Sequence, residues 1–364
     1  FDKPTIAAVA ETQSRWLGLL RQYGIVYLYA MTGYGKTVQA DAFAEAHYPL
    51  ARSVSVFEAD WLAQAQAFLQ EKRRAKERAL LILDDLQGLR GEQEQAALFS
   101  LLLEQNRSSR TAHILLLSRA ALPTYLIPLQ LTKQLVCEDR AALQLGVEQV
   151  RTLLNAAGSA GLSEEAREDI TQACLRATNG YGVAVSAYLQ RALENPHDAA
   201  TAESKARRDV YSYLDSHLFV LWPKEHQNAL TALSIYERFD GKQAQDVLGE
   251  QADALLKDFL RIGSFLSFKA PDTYTIQPFF RSYLGDKLAA RPRSEQEAIY
   301  LAAAEGCEKR RDYAPALRFC HLSGREDRVE ALILFLSENA DGCSFARLCD
   351  GYLSDLLDRP DSPR

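Results

Sequence analysis

From residue 24 to about residue 137, short runs of β-branched and aliphatic residues alternate with longer stretches whose apolar positions recur at helical spacing. The runs 25–29, 53–57, 80–84, 113–118 and 133–137 predict strands, and 36–46, 59–74 and 91–106 predict the helices between them. Strands separated by helices of this length build βαβ units, and these stack into a parallel, doubly wound sheet. The runs LLILDD and HILLLS are apolar on both faces, as central strands of such a sheet must be.

Beyond Arg140 the strand pattern stops. Stretches 148–157, 163–178 and 182–193 predict three helices, the second opened by Ser163 as cap with Glu164 and Glu165 in the first turn. The polar stretch ENPHDAATA at 194–202 predicts a linker. Helical patterns follow at 206–219, 224–236, 241–249 and 252–262, and then a hairpin, 264–268 and 273–276 about a Pro-Asp turn. Helices closed by a hairpin suggest a winged-helix fold. From Arg293 the pattern becomes paired helices, 295–311 with 314–322 and 325–337 with 344–357, the start of a TPR-like helical solenoid.

Composition narrows the function classes. At 364 residues and 47% hydrophobic, the chain can bury several cores. With 42 basic and 48 acidic residues its net charge is −6, which argues against a uniformly basic nucleic-acid-binding surface. Cys137, Cys174, Cys307, Cys320, Cys343 and Cys349 are scattered with no CxxC pair, and read as reduced thiols of a cytoplasmic protein. No uncharged stretch reaches the roughly 20 apolar residues of a membrane span, so no membrane association is expected. The chain opens at Phe1, has its single methionine at Met31 and stops just past a helical pattern, so it reads as a portion of a longer protein.

Three motifs carry chemistry. The first is YLYAMTGYGKT at 27–37: a strand, a glycine-containing turn, then Gly-Lys-Thr opening a helix. Glycines let backbone N–H groups curl around a phosphate while the helix start adds its dipole. Thr32, Gly33, Tyr34, Gly35, Lys36, Thr37 and Val38 are therefore the candidate nucleotide-binding residues. Lys36 would bridge the β- and γ-phosphates and Thr37 would hold Mg²⁺. Alanine at position 30 stands where the GxxxxGK[ST] pattern has its first glycine, which the turn tolerates if φ there is negative. The second motif is LLILDD at 80–85. Carboxylates at the carboxyl edge of a buried parallel strand sit where such sheets bind ligands. Asp84 would orient Mg²⁺ through water, and Asp85 would polarise the attacking water as the catalytic residue. The third is the strand end Ser118-Arg119, whose guanidinium would reach a γ-phosphate.

Other features read more plainly. The basic run 71–78 is bracketed by acids and reads as a solvated helix end. Lys205, Arg207, Arg208 and Lys242 are balanced by nearby acids, so the winged-helix block is not expected to bind DNA. The six histidines never approach metal-ligand spacing.

AMTGYGKT at 30–37, LILDDLQ at 81–87, LLLSR at 115–119, TNGYGVAVSAYL at 178–189 and FLSF…YTIQPFFRSYL across 265–284 together resemble the STAND signal-transduction ATPases. Within them the likeness is to the branch of large LuxR-type, MalT-like transcriptional regulators, which often carry APAGYGKT at the first motif. The resemblance covers nearly the whole chain. It implies a multidomain fold: an α/β P-loop nucleotide-binding domain with a parallel doubly wound sheet at 1–138, a helical domain at 139–200, a winged-helix domain at 201–290 and a truncated TPR-like arm at 291–364. It implies a switch that closes around ADP at rest and opens with ATP, Mg²⁺ and a small-molecule or protein inducer, then self-associates. Slow hydrolysis would reset it, and DNA would be bound only through a helix-turn-helix domain beyond Arg364. Relatives place a phosphate-contacting His after the winged-helix hairpin, where this chain has Gln277, and many place a Pro at the position of Gly182. Two other readings stand beside the switch: a STAND scaffold controlling a non-transcriptional effector such as a defence protein, and an AAA+-like remodelling ATPase.

Overall fold

The computed structural model describes residues 10–75, 78–108, 112–263, 265–269, 271–339 and 345. The chain divides into two compact units, residues 1–221 with 257–266, and residues 222–256 with 267–364.

The first unit begins with α1 (Ala10–Tyr23), β1 (Ile25–Tyr29), α2 (Lys36–His47), β2 (Leu50–Ser55), α3 (Trp61–Ala75) and β3 (Ala79–Asp84). It continues with α4 (Glu92–Ser108), β4 (Ala112–Ser118), α5 (Ile127–Leu131) and β5 (Leu135–Glu138). The five strands form one parallel sheet in the order β2-β3-β4-β1-β5. Chain order and spatial order part at β1: α2 leads away toward β2 and β3, and β4 returns to lie between β3 and β1. Ligands of such sheets bind outside the strand ends at this switch. On one face Leu81, Leu83, Ile114 and Leu116 are buried against Leu98, Leu102 and Leu126, and on the other Leu80, Ile82, Leu115 and Leu117 are buried as well, the two-sided burial that the apolar runs predict.

The helical layer follows: α6 (Val147–Ala156), α7 (Glu164–Thr178), α8 (Gly182–Glu194) and α9 (Ala199–His217). Ser163 caps α7 by accepting from Ala166 N at 3.2 Å. Val150, Leu154, Cys174, Val185 and Tyr188 form its core.

Two local expectations change. The second strand is Leu50–Ser55, not 53–57. It is an edge strand whose residues 51–53 face solvent, so polar Arg52 and Ser53 conceal it, and Phe57 lies exposed in the following turn. The linker expected at 194–202 is a break of four residues only. Asp198 caps α9 by accepting from Thr201 N at 3.0 Å, and Ala202 and Ala206 pack into the helical core. Small alanines hid that apolar face.

The second unit holds α10 (Lys224–Leu233), α11 (Gly241–Leu248), the start of α12 (Ala252–Ile262), most of the hairpin β6 (Leu266–Lys269) with β7 (Thr273–Ile276), and α13 (Pro278–Ala289). Phe239 extends the hairpin by pairing with Tyr274, N to O at 3.1 and 2.7 Å. The paired helices α14 (Arg293–Lys309) and α15 (Tyr313–Ser323) and then α16 (Glu326–Asn339) follow. Arg310 joins the end of α14 to α11 through Asp246 at 2.7 Å. Apart from residue 345, the expected partner helix at 344–357 lies outside the described residues, as do Cys343, Cys349 and the side chains at 72–77.

Candidate functional site

Between β1 and α2 the chain turns through residues 30–35, with Gly33 at φ 88° and Gly35 at φ 77°. Those left-handed values favour glycine over any L side chain. Ala30 has no positive φ, and its N–H continues the β1–β4 ladder to Ser118 O at 3.1 Å, so the missing first glycine is not required there.

Each carbonyl of the turn already accepts a hydrogen bond. Lys36 Nζ donates to Ala30 O and, at 3.1 Å, to Met31 O. The Tyr181 hydroxyl donates to Thr32 O at 2.9 Å, Val183 N to Gly33 O at 2.9 Å, Gln39 Nε2 to Tyr34 O at 3.3 Å, and Gln39 N to Gly35 O at 2.9 Å. Among the described residues no acceptor is found for the N–H groups of Gly33, Gly35, Lys36 and Thr37. Gly35, the residue before α2, provides no side-chain cap. The result is a helix start with exposed dipole and converging donors, which is an anion site.

Opposite the turn stand the strand ends. Thr37 Oγ1 donates to Asp84 Oδ2 at 2.6 Å across 47 residues of sequence. Asp85, at φ 61°, accepts from Ser55 Oγ at 3.3 Å on one carboxylate oxygen, and on the other from Gln87 Nε2 at 2.9 Å. The Arg119 guanidinium stands 3.5 Å from that second oxygen, and Arg119 N donates to Gln87 Oε1 at 3.0 Å. Gln87 thus bridges the end of β3 to the end of β4. Its orientation is fixed by chemistry, because only the NH₂ can serve a carboxylate and only the oxygen can serve an N–H.

Lys36 is 8% exposed. Burial, reinforced by the Arg119 charge and opposed by Asp84 and Asp85, pushes its ammonium down from 10.5 to about 8. A cation desolvated in this way gains most from an arriving anion.

These groups line one cavity of about 240 Å³. Thr32, Gly33, Tyr34, Gly35, Lys36, Thr37, Val38, Asp84, Asp85 and Arg119 all reach it, so ten of the eleven candidate residues converge. The eleventh, Gln277, belongs to the second unit, where it is 2% exposed and caps α13 by accepting from Phe280 N at 2.7 Å. Leu145, Leu153, Gly182 and Val183 of the helical layer close the cavity with apolar surface. Sequence reasoning missed Ser55, Gln87, Tyr181 and Val183. For Gln87 the signal was its place two residues after the acid pair. For Tyr181, 149 residues from the carbonyl it serves, no local pattern existed.

The donor set suits a nucleoside diphosphate or triphosphate with Mg²⁺. A hydroxyl and a carboxylate 2.6 Å apart are hard oxygen ligands of the kind Mg²⁺ takes. Among the described residues no group of three His, Cys, Asp or Glu could hold a metal alone, so phosphate oxygens would complete its shell.

A family model of the MalT winged helix domain matches residues 215–297. No curated protein matches the chain. Among solved structures, the Walker-type ATPase PAby2304 of Pyrococcus abyssi is similar at TM-score 0.53 and 13% identity, over 76% of this chain and 95% of its own. Cdc6p from Pyrobaculum aerophilum superposes at TM-score 0.36 and 13% identity, over 82% and 95%. The RuvB Holliday junction branch migration motor of Thermotoga maritima does so at 0.40 and 16%, over 76% and 93%. The first of these is a likeness of fold, and the looser two add nothing to it. No helix among the described residues is long and apolar enough to cross a membrane. With a P-loop NTPase fold and a winged helix domain of the MalT type, the chain resembles MalT-like P-loop ATPases.

Proposed function

We propose that the chain is an ATP/ADP-operated switch, the sensor-ATPase part of a LuxR-type transcriptional regulator acting in the bacterial cytoplasm. One observation carries the nucleotide part: a single cavity gathers an uncapped helix start, a buried lysine, the Thr37–Asp84 pair and Asp85 with Arg119, and closes them with apolar surface from the helical layer. Phosphates would lie on the N–H groups of residues 33–37 beside Lys36, and the base against Leu145, Leu153 and Val183. Thr37 and Asp84 would hold Mg²⁺, which when bound neutralises phosphate charge.

Asp85 is the residue for orienting water at the terminal phosphate, steadied by Ser55, Gln87 and Arg119. A carboxylate engaged by three donors is held in one orientation. Slow hydrolysis that resets the switch belongs to the same proposal. The MalT-type match at 215–297 supports the regulator part of the reading. An inducer, self-association and a DNA-binding module beyond Arg364 belong to the same proposal.

The test is the nucleotide content of the purified protein, released by acid and resolved by ion exchange. Near-stoichiometric ADP supports a resting switch. A protein that carries no nucleotide and takes up neither ADP nor ATP contradicts it, and multi-turnover hydrolysis at many per second would favour a remodelling ATPase.

A further inference from the structure

The first two residues of α8 and the tyrosine before them meet the phosphate turn in a way that nucleotide binding by itself does not call for. Tyr181 is fully buried, and its ring packs 5.1 Å from that of Tyr34 and edge-on to Phe265 at 6.1 Å. Its hydroxyl reaches Thr32 O, and one helical position past Gly182 the Val183 N–H reaches Gly33 O. Gly33 accommodates the ring: a Cβ there would stand within 2.8–2.9 Å of two of its carbon atoms. Gly182 permits the close approach of the helix, since its own Cβ would lie 3.0 Å from Gly33 O.

Peptide planarity gives these two bonds their consequence. Thr32 C=O and Gly33 N–H belong to one rigid plane and point in opposite directions, as do Gly33 C=O and Tyr34 N–H. Holding both carbonyls on Tyr181 and Val183 therefore fixes both N–H groups on the opposite side of their planes. Glycine at 33 has no side chain to resist a peptide flip, so without an external hold the plane could rotate and present a carbonyl to the phosphate.

We propose that Tyr181, together with the Val183 N–H, is a positioning element of the phosphate turn: it fixes the orientation of the 32–33 and 33–34 peptides and so presets the Gly33 N–H for a diphosphate. The inference rests on the nucleotide reading above and deepens it. It ties phosphate affinity to the docking of α8, and by linkage a bound diphosphate strengthens that docking by the same factor.

Tyr181→Phe keeps the ring and its packing and removes one hydroxyl. Parent and variant are compared by calorimetric titration with Mg·ADP, and by amide hydrogen exchange of the nucleotide-free proteins. The expected result is ADP affinity roughly 3- to 10-fold weaker, the worth of one hydrogen bond, with faster exchange confined to residues 32–37. Gly182→Ala, which presses a methyl on Gly33 O, should weaken ADP in the same direction although alanine is the better helix former. A merely structural role would instead lower the melting temperature and leave ADP affinity and turn exchange alone. ADP binding within twofold of the parent in both variants overturns the inference while the nucleotide reading stands. A parent that takes up no ADP overturns both.

Discussion

Two strand-to-helix junctions in this chain have similar outlines and opposite chemistry. After β1 the chain enters α2 through Gly35 and Lys36; after β7 it enters α13 through Gln277 and Pro278. Lys36 and Gln277 are both buried, at 8% and 2% exposed, but Thr37 and Val38 after Lys36 face solvent. At α13 the orphan donors are satisfied from within. Proline has no N–H to satisfy, the Gln277 side chain takes Phe280 N at 2.7 Å and its carbonyl takes Arg281 N at 2.8 Å. At α2 glycine offers no cap, and the N–H groups of Lys36 and Thr37 have no acceptor among the described residues. Of these two helix starts, the one at α13 is capped by its own side chain and the one at α2 is left open. Leaving a start uncapped forgoes the stability of a cap, and an arriving anion supplies it.

The comparison can be broken most severely at Lys36. Lys36→Ala removes the charge while keeping the helix, and ADP affinity should fall on the order of 100-fold while the nucleotide-free protein still folds. Unchanged affinity by calorimetry would show that phosphates do not sit at this junction. A subtler change makes the open junction resemble the closed one. Asparagine tolerates the left-handed backbone at position 35 and brings its own acceptor, so Gly35→Asn should compete with phosphate and weaken ADP about tenfold. Thermal melting checks that the fold survives.

The same lysine sets a pH dependence. With its ammonium held near 8, Lys36 in the free protein is charged at pH 7 and mostly neutral at pH 9. Phosphate binds the cation, so ADP affinity should fall about tenfold across that interval, with proton uptake on binding, and Lys36→Ala should flatten the profile. The stability sign is opposite to that of a lysine gaining a partner. The folded value lies below the unfolded 10.5, so nucleotide-free stability rises as pH climbs from about 8 toward 10.5. The smallest effect is at the closed junction. Gln277→Ala leaves Phe280 N without its cap and should cost about 1 kcal/mol of stability, read by chemical denaturation.

Much of this arrangement is written locally in the sequence, and the parts that are not share a cause. Gly33, Gly35, Lys36 and Thr37 are legible because a phosphate turn needs those residue types in that order. Asp84 and Asp85 are legible because the strand before them is apolar on both faces. The edge strand β2 departs from the pattern because its residues 51–53 face solvent, and α9 starts earlier than the pattern predicts because alanine carries little of it. Tyr181 is illegible for a different reason. It acts through a hydrogen bond to a backbone carbonyl that the fold alone brings near, and the residue type by itself is ordinary.

The most direct measurement is a calorimetric titration of the nucleotide-stripped protein with Mg·ADP and, separately, with adenosine. If the uncapped start of α2 holds the diphosphate, ADP binds at least 100-fold more tightly than adenosine, and Lys36→Ala removes most of that difference. Equal affinities for the two, or an ADP advantage that survives Lys36→Ala, would contradict it.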